Sequence, residues 1–166
     1  MSLEIRGLRA SDWATCGRIY EEGIATGSAT FEEAAPDWAS WDAAHLPAGR
    51  LVAIDGDAGI VGWAALSPVS DRCAYSGVAE ASIYVAEAAR GRGVGTRLMR
   101  AALDAADAAG IWTVQAGILV ENAASVALAE RTGFRRVGVR KRLGKLNGVW
   151  RDVLLLERRS DIVGTD

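Results

Sequence analysis

The amino-acid sequence predicts an α/β (α+β) domain in which a mixed sheet carries helices on its faces. Three observations carry that reading. Stretches of strand and helix periodicity alternate along the chain, in the order β, α, α, a β-meander, α, β, α, β, β. Two apolar runs flank Gly56-Asp57-Ala58-Gly59, a strong hairpin signal. The β-branched and aromatic stretch Glu80-Ala81-Ser82-Ile83-Tyr84-Val85 then leads directly into Ala89-Arg90-Gly91-Arg92-Gly93-Val94-Gly95-Thr96, the glycine-rich start of a helix. The loop at the end of such a strand is where a ligand is expected to sit.

Each element has its own signal. Leu3 to Arg9 sets Ile5 and Leu8 among charged residues and glycine, and reads as the first strand. Ser11 offers an N-cap, after which Trp13, Cys16, Tyr20 and Ile24 recur at helical spacing as far as Thr26. Pro36 is expected to start a short helix with Trp38, Trp41 and His45 on one side, the tryptophans in the core or an interface. Leu51 to Ile54 and Ile60 to Leu66 form the hairpin, and a loop with Pro68 and Asp71 leads to the central strand at Glu80. Leu98, Ala102, Ala105 and Ala109 give one face of the next helix, which Gly110 ends. Thr113 to Val120 is a strand, Ser125 to Arg131 a short helix stopped by Gly133, and Phe134 to Val139 and Val149 to Leu156 are the last strands. Residues 1–158 read as one domain, and 159–166 as a polar tail expected to fray.

Bulk properties exclude several classes. A chain of 166 residues can build its own core without staples. No apolar run approaches the roughly 20 residues of a membrane span, and the start MSLEIRGLR lacks a signal-peptide core. These features predict a soluble, cytoplasmic protein with no membrane partner. A net charge of −2, with both signs interspersed through most of the chain and basic clusters only at Arg90 to Arg100 and Arg131 to Arg142, supplies no general field for nucleic acid, so none is expected as a partner. Cys16 and Cys73 lack CxxC spacing and read as buried structural thiols. The single histidine, His45, reads as the polar end of a short helix, and no metal is expected.

Alternating glycines between a strand and a helix place backbone N–H groups at the positive end of the helix dipole, a natural anion site. A P-loop would need Lys-Ser/Thr after its last glycine, but Gly95 is followed by Thr96-Arg97. A Rossmann fingerprint belongs near the start of a βαβ unit, whereas this loop follows a meander. By itself the loop also suits a plain helix start with spare glycines.

The loop has company. Arg90-x-x-Gly93-x-Gly95 after Ile83-Tyr84-Val85, Asn122 after the next strand, and Glu130-Arg131-Thr132-Gly133-Phe134 at a helix end together resemble the GNAT family of acetyl-CoA-dependent N-acetyltransferases, over nearly the whole chain. The resemblance implies the GNAT fold: a central mixed, mostly antiparallel sheet with splayed parallel strands and helices on both faces. It implies acetyl-CoA as cosubstrate, with its pantetheine in the gap between the splayed strands. Ile83, Tyr84 and Val85 would contact it through their backbone, Arg90, Gly91, Arg92, Gly93, Val94, Gly95 and Thr96 would surround its phosphates, and Asn122 would hold the pantetheine arm. Phe31 within Thr26-Gly27-Ser28-Ala29-Thr30-Phe31-Glu32-Glu33, Arg72-x-x-Tyr75, the strand from Glu80, and Trp150-Arg151-Asp152-Val153 look like the branch that acetylates phosphinothricin and methionine sulfoximine. That branch implies a homodimer and a small amino-acid-like substrate bound partly at the subunit interface, with Phe31, Arg72, Tyr75, Glu80 and Ser82 on the substrate side. The sequence departs from it at Ala81, where histidine is frequent, and at Lys145-Leu146-Asn147-Gly148 before the tryptophan. It also carries Ala129 where many GNAT enzymes have tyrosine.

Acetyl transfer to an amine needs a deprotonated nitrogen, a stabilised oxyanion and a proton for the thiolate leaving group. Glu80 is the expected base, working through a water; its plainer role is a strand-end carboxylate in a salt bridge. The backbone N–H of Val85 is expected to meet the oxyanion. Tyr84, Tyr75 and water are the candidates for the acid that Ala129 is not. Arg72 suits a bidentate grip on a substrate carboxylate, or is a loop cation paired with Asp71. Two other functions stay open: acetylation of a polyamine or a protein N-terminus, for which Glu32, Glu33 and Asp37 offer a modest carboxylate cluster, and acetyl-CoA binding without turnover, as a sensor.

Overall fold

Strand β1 (Leu3–Gly7) pairs antiparallel with β2 (Leu51–Asp55), which turns through Gly56–Ala58 into β3 (Gly59–Pro68). β3 pairs antiparallel with β4 (Val78–Val85), β4 parallel with β5 (Thr113–Leu119), and β5 antiparallel with β7 (Val149–Arg159), whose other edge takes β6 (Arg135–Leu146). The resulting seven-stranded sheet has the order β1-β2-β3-β4-β5-β7-β6. This computed structural model describes residues 2–166.

Helices cover both faces. α1 (Trp13–Ala25) and α2 (Trp38–Ala44) pack on one side through an aromatic cluster: Trp13, Trp41 and Trp63 are buried, and the Tyr84 ring stacks on Tyr20 at 4.5 Å and on Trp63 at 4.9 Å. α3 (Val94–Ala108) and α4 (Ala123–Arg131) pack on the other, burying Leu98, Met99, Leu103 and Val126 against Ala64, Val114 and Leu156. Each fully buried side chain of this size contributes about 1.5–3 kcal/mol from water exclusion. The alternation of β4 divides the clusters, with Ile83 and Val85 turned toward α3 and Tyr84 toward α1.

Several boundaries differ from the sequence reading. Ser11 does not cap α1, which starts without a side-chain cap; the Asp12 carboxylate instead accepts the Arg9 N–H at 2.8 Å and both arms of the Arg6 guanidinium, closing the short turn Ala10–Asp12 that precedes the helix. α2 starts at Trp38 rather than Pro36, because Asp37 caps it by accepting the Ser40 N–H at 2.8 Å. β6 continues from Val139 to Leu146, and Asn147-Gly148, both with positive φ, close the hairpin to β7. The segment after Arg159, expected to fray, turns back: Ser160 is buried, donates its N–H to the Trp112 carbonyl at 2.8 Å, and its Oγ accepts the N–H groups of Ile162 and Val163. Cys16 is buried as expected, its thiol pushed up to about 12 by burial, but Cys73 is exposed.

Candidate active site

The pairing of β4 with β5 stops early. Val78 faces Thr113, Ala79 faces Val114 and Glu80 faces Gln115; beyond that pair the strands part, while β4 stays on β3 as far as Val85 and β5 stays on β7 as far as Leu119. The hydrogen bond from the Ala86 N–H to the Val61 carbonyl, at 2.8 Å, sets the phase of the β3–β4 ladder. By the alternation of antiparallel pairs, Tyr84 and Ser82 bond toward β3, while the Ala81 C=O and the N–H and C=O groups of Ile83 and Val85 turn into the gap, the Ala81 N–H serving the last pair with β5. Of the three residues expected to offer backbone contacts to the cosubstrate, Ile83 and Val85 present theirs to the gap and Tyr84 presents its to β3.

A cavity of about 1070 Å³ fills this gap and runs over the start of α3. Its walls include Ile83, Val85, Arg90, Gly91, Gly93, Val94, Gly95, Thr96 and Asn122, together with Phe31, Glu80 and Ser82. Gly93 caps α3 in the left-handed region at φ 83°, and Gly91 has φ 73°; a Cβ on either would meet nothing within 4 Å, so both face open space. No side chain caps the helix, which leaves the first-turn N–H groups directed into the cavity. Arg92 is the exception in the loop: its guanidinium pairs with Asp55 at 3.2 Å, and it does not wall the cavity. Asn122 caps α4, its Oδ1 accepting the Ser125 N–H at 3.2 Å, which leaves its NH₂ for other partners.

At the closed end of the gap, Glu80 accepts a hydrogen bond at Oε2 from Gln115 Nε2, 3.1 Å away, and no cation among the described residues is bonded to it. The salt bridge considered for this residue is therefore not made. A Cβ on Gly117 would lie 3.5 Å from Glu80 Oε1, so the missing side chain there leaves that oxygen open. Phe31 packs on Leu119, Leu146 and Val153 and walls the same end; Leu146, one of the departures noted above, is buried behind it.

Arg72 and Tyr75 lie elsewhere. Tyr75 is exposed and walls a second cavity, about 320 Å³, with Val78, Thr113, Leu155 and Glu157, and Arg72 lies over the Tyr75 ring at 5.5 Å. Gln115 and Leu155 wall both cavities, so the two meet on either side of these side chains. Among the tyrosines near the gap, Tyr84 is held in the aromatic stack, and burial pushes its phenol far above the ordinary range. Ala129 is fully buried in the wall and offers no proton. Glu33 and Asp37 are exposed and outside the cavity, so only Glu32 remains there of the proposed carboxylate cluster. Gln115 and Gly117 were missed by sequence reasoning, because only the strand register brings them to Glu80.

Residues 14–134 match the acetyltransferase (GNAT) family model. The chain belongs to the GNAT family. It is 30% identical over 166 residues to an L-methionine sulfoximine/L-methionine sulfone acetyltransferase of Pseudomonas paraeruginosa, covering 97% of this chain and 96% of the relative. It is 34% identical to a phosphinothricin N-acetyltransferase of Alcaligenes faecalis, over 93% of this chain and 81% of the other. A GNAT phosphinothricin acetyltransferase from Sinorhizobium meliloti, solved in complex with AcCoA, superposes with a TM-score of 0.89 at 29% identity, covering 100% of this chain and 92% of that one.

The protein is thus an acetyl-CoA-dependent GNAT acetyltransferase, and its parallel strands splay in the sheet as the GNAT fold requires. The residues present fit the cosubstrate: positive-φ glycines open onto the cavity, first-turn amides lack intrahelical acceptors, and alternate backbone groups of β4 are unpaired along the gap. Among the described residues, no group of three His, Cys, Asp or Glu is placed to hold a metal ion, and no helix is long and apolar enough to cross a membrane.

Proposed function

We propose that this chain acetylates the α-amino group of a small amino-acid-like acceptor of the phosphinothricin or methionine sulfoximine kind, with Glu80 as general base through a water. The observation that carries this reading is the Glu80 carboxylate at the closed end of the gap, held at one oxygen and open at the other. The names of the relatives in two bacterial species supply the acceptor class.

Bound along β4, acetyl-CoA supplies the thioester. Val85 turns its N–H into the gap, where it can donate to the acetyl carbonyl oxygen. Glu80 takes the proton that the acceptor nitrogen sheds as its bond to the acetyl carbon forms. The carbon–sulfur bond then breaks, and with Ala129 in the wall, solvent delivers the proton that the departing thiolate needs. Phe31 and Ser82 bound the acceptor on the α1 side. Arg72, over Tyr75 at the second cavity, is suited to the acceptor's carboxylate, because a planar fork can bind both oxygens. A homodimer completes this proposal: Val139, Val149 and Trp150 on β6 and β7 are at least half exposed, and an apolar surface of that kind suits a second copy.

Release of free thiol from acetyl-CoA, followed with methionine sulfoximine and with phosphinothricin, tests the acceptor class. Turnover above background with either supports it, and no turnover from folded protein that binds acetyl-CoA overturns it. Arg72→Ala is expected to raise the KM of the turned-over amino acid by about tenfold to a hundredfold, the worth of a charge-assisted hydrogen bond, while leaving that of its methyl ester nearly unchanged. Equal effects on acid and ester would exclude the carboxylate grip. Sedimentation equilibrium should return twice the chain mass, and a monomer at assay concentration would remove the shared pocket.

A further inference from the structure

We propose that Gln115 is a positioning residue for acetyl transfer, its side-chain amide fixing the Glu80 carboxylate at the closed end of the β4–β5 gap. The proposal rests on Glu80 being the base.

The two residues are 35 positions apart and meet through the parallel register, in the last pair before the strands separate. A carboxylate only accepts hydrogen bonds, so the amide must present its NH₂ to Oε2, as it does at 3.1 Å. This contact ties down one oxygen. The other lies over Gly117, where the absent Cβ keeps the approach from the cavity clear.

The neighbours on the same row explain why an amide suits this place. Ser67 on β3, Glu80, Gln115, Glu157 on β7 and Arg135 on β6 are successive register partners, so they share one face of the sheet across five strands. Glu157 is already paired, with Arg135 at 2.9 Å. A third carboxylate at 115 would stand between two others at the interstrand spacing of about 4.8 Å, and an apolar residue would leave Oε2 without a donor. Gln115 is neutral and donates. Its stem also walls the small cavity as well as the large one, so the same side chain that holds the base borders both spaces open to an acceptor.

A double-mutant cycle separates this role from ordinary packing. Gln115→Met preserves length and removes the donor. With methionine sulfoximine or phosphinothricin as acceptor, it should lower kcat by about tenfold to a hundredfold, the worth of a hydrogen bond to a charged group. The KM for acetyl-CoA should stay within about twofold, and in a Glu80→Gln background the same change should alter kcat by less than about twofold. Full activity in Gln115→Met, or an equal loss in both backgrounds, would overturn the proposal. An undiminished Glu80→Gln enzyme would instead overturn the base reading on which it rests. Should Gln115→Met fail to fold, Gln115→Asn, one methylene too short to reach, is expected to show the same pattern. Crystals of the variant with acetyl-CoA give a readout that needs no acceptor: the Glu80 carboxylate should leave its place over Gly117, and density showing it unmoved would refute the role.

Discussion

At Glu80 the two oxygens of one carboxylate have different neighbours, and that asymmetry sets what substitutions nearby should do. Gly117→Ala adds a methyl group 3.5 Å from Oε1 and 3.4 Å from Val153 Cγ1, ordinary contact distances that the fold can absorb. The added carbon nevertheless occupies the approach to the open oxygen. We expect kcat to fall by about tenfold, as small misplacements of reacting groups do, with the thermal midpoint and the KM for acetyl-CoA nearly unchanged; steady-state thiol release measures all but the midpoint. The place of Glu80 beside the gap was legible, since a lone carboxylate opening an apolar strand before a glycine loop stands out in the chain. Gln115 and Gly117 were not. Their roles arise from a pairing across 35 residues, and a glutamine or glycine within a strand carries no local mark of it. Arg92 shows the converse: sequence counts it among the phosphate-side residues, but Asp55 at the end of β2 pairs with its guanidinium.

At the scale of elements, the glycine loop and the gap were foreseen because they rest on local chemistry. Gly93 has φ 83°, and an L-residue there costs about 1–2 kcal/mol. Gly93→Ala should therefore lower Tm by about 2–8 °C in a domain of this size, and titration calorimetry should find acetyl-CoA bound more weakly, because the loop relieves its strain by turning amides away from the cavity. A variant with native Tm and native affinity would show that the left-handed cap is dispensable. The last hairpin was shortened in the sequence reading for a physical reason. Arg140-Lys141-Arg142 lacks the apolar alternation that marks a strand, yet β6 lies at the edge of the sheet, where charged side chains can point to water on an extended strand. The better signal was Asn147-Gly148, both with positive φ, the pair a two-residue hairpin demands. Likewise Asp37, rather than Pro36, defines the start of α2, because its carboxylate accepts a free first-turn N–H, whereas α1 follows a short turn in which Asp12 holds the Arg9 N–H.

Across the whole molecule, two ion pairs, one between segments 51 residues apart and one local, give the fold a predictable response to acid. Asp107 on α3 accepts both arms of the Arg158 guanidinium on β7, at 2.7 and 3.0 Å, and Asp12 does the same for Arg6 on β1. In both cases the hydrogen bonds from arginine hold the carboxyl below the ordinary aspartate range, outweighing the opposing effect of burial. A group whose folded-state pKa is depressed contributes stability that is present above its unfolded pKa, near 3.9 for aspartate, and is lost as pH falls through the folded value. The thermal midpoint should accordingly be nearly flat from neutral pH to about pH 5 and drop below about pH 4, where the 19 Lys and Arg residues also lose their counter-charges. Asp107→Asn keeps the shape and removes the charge. At pH 7 it should cost about 1–3 kcal/mol, since the Arg158 guanidinium is left only partly exposed and without its anion. At pH 3 the variant and the parent should differ by less, because below the unfolded pKa the unfolded chain takes up the proton first and the contribution of the charged pair begins to fall. Thermal melts of the two proteins at both pH values decide the matter: a deficit equally large at pH 3 would mean that Asp107 stabilises the junction of α3 and β7 through packing rather than through its charge.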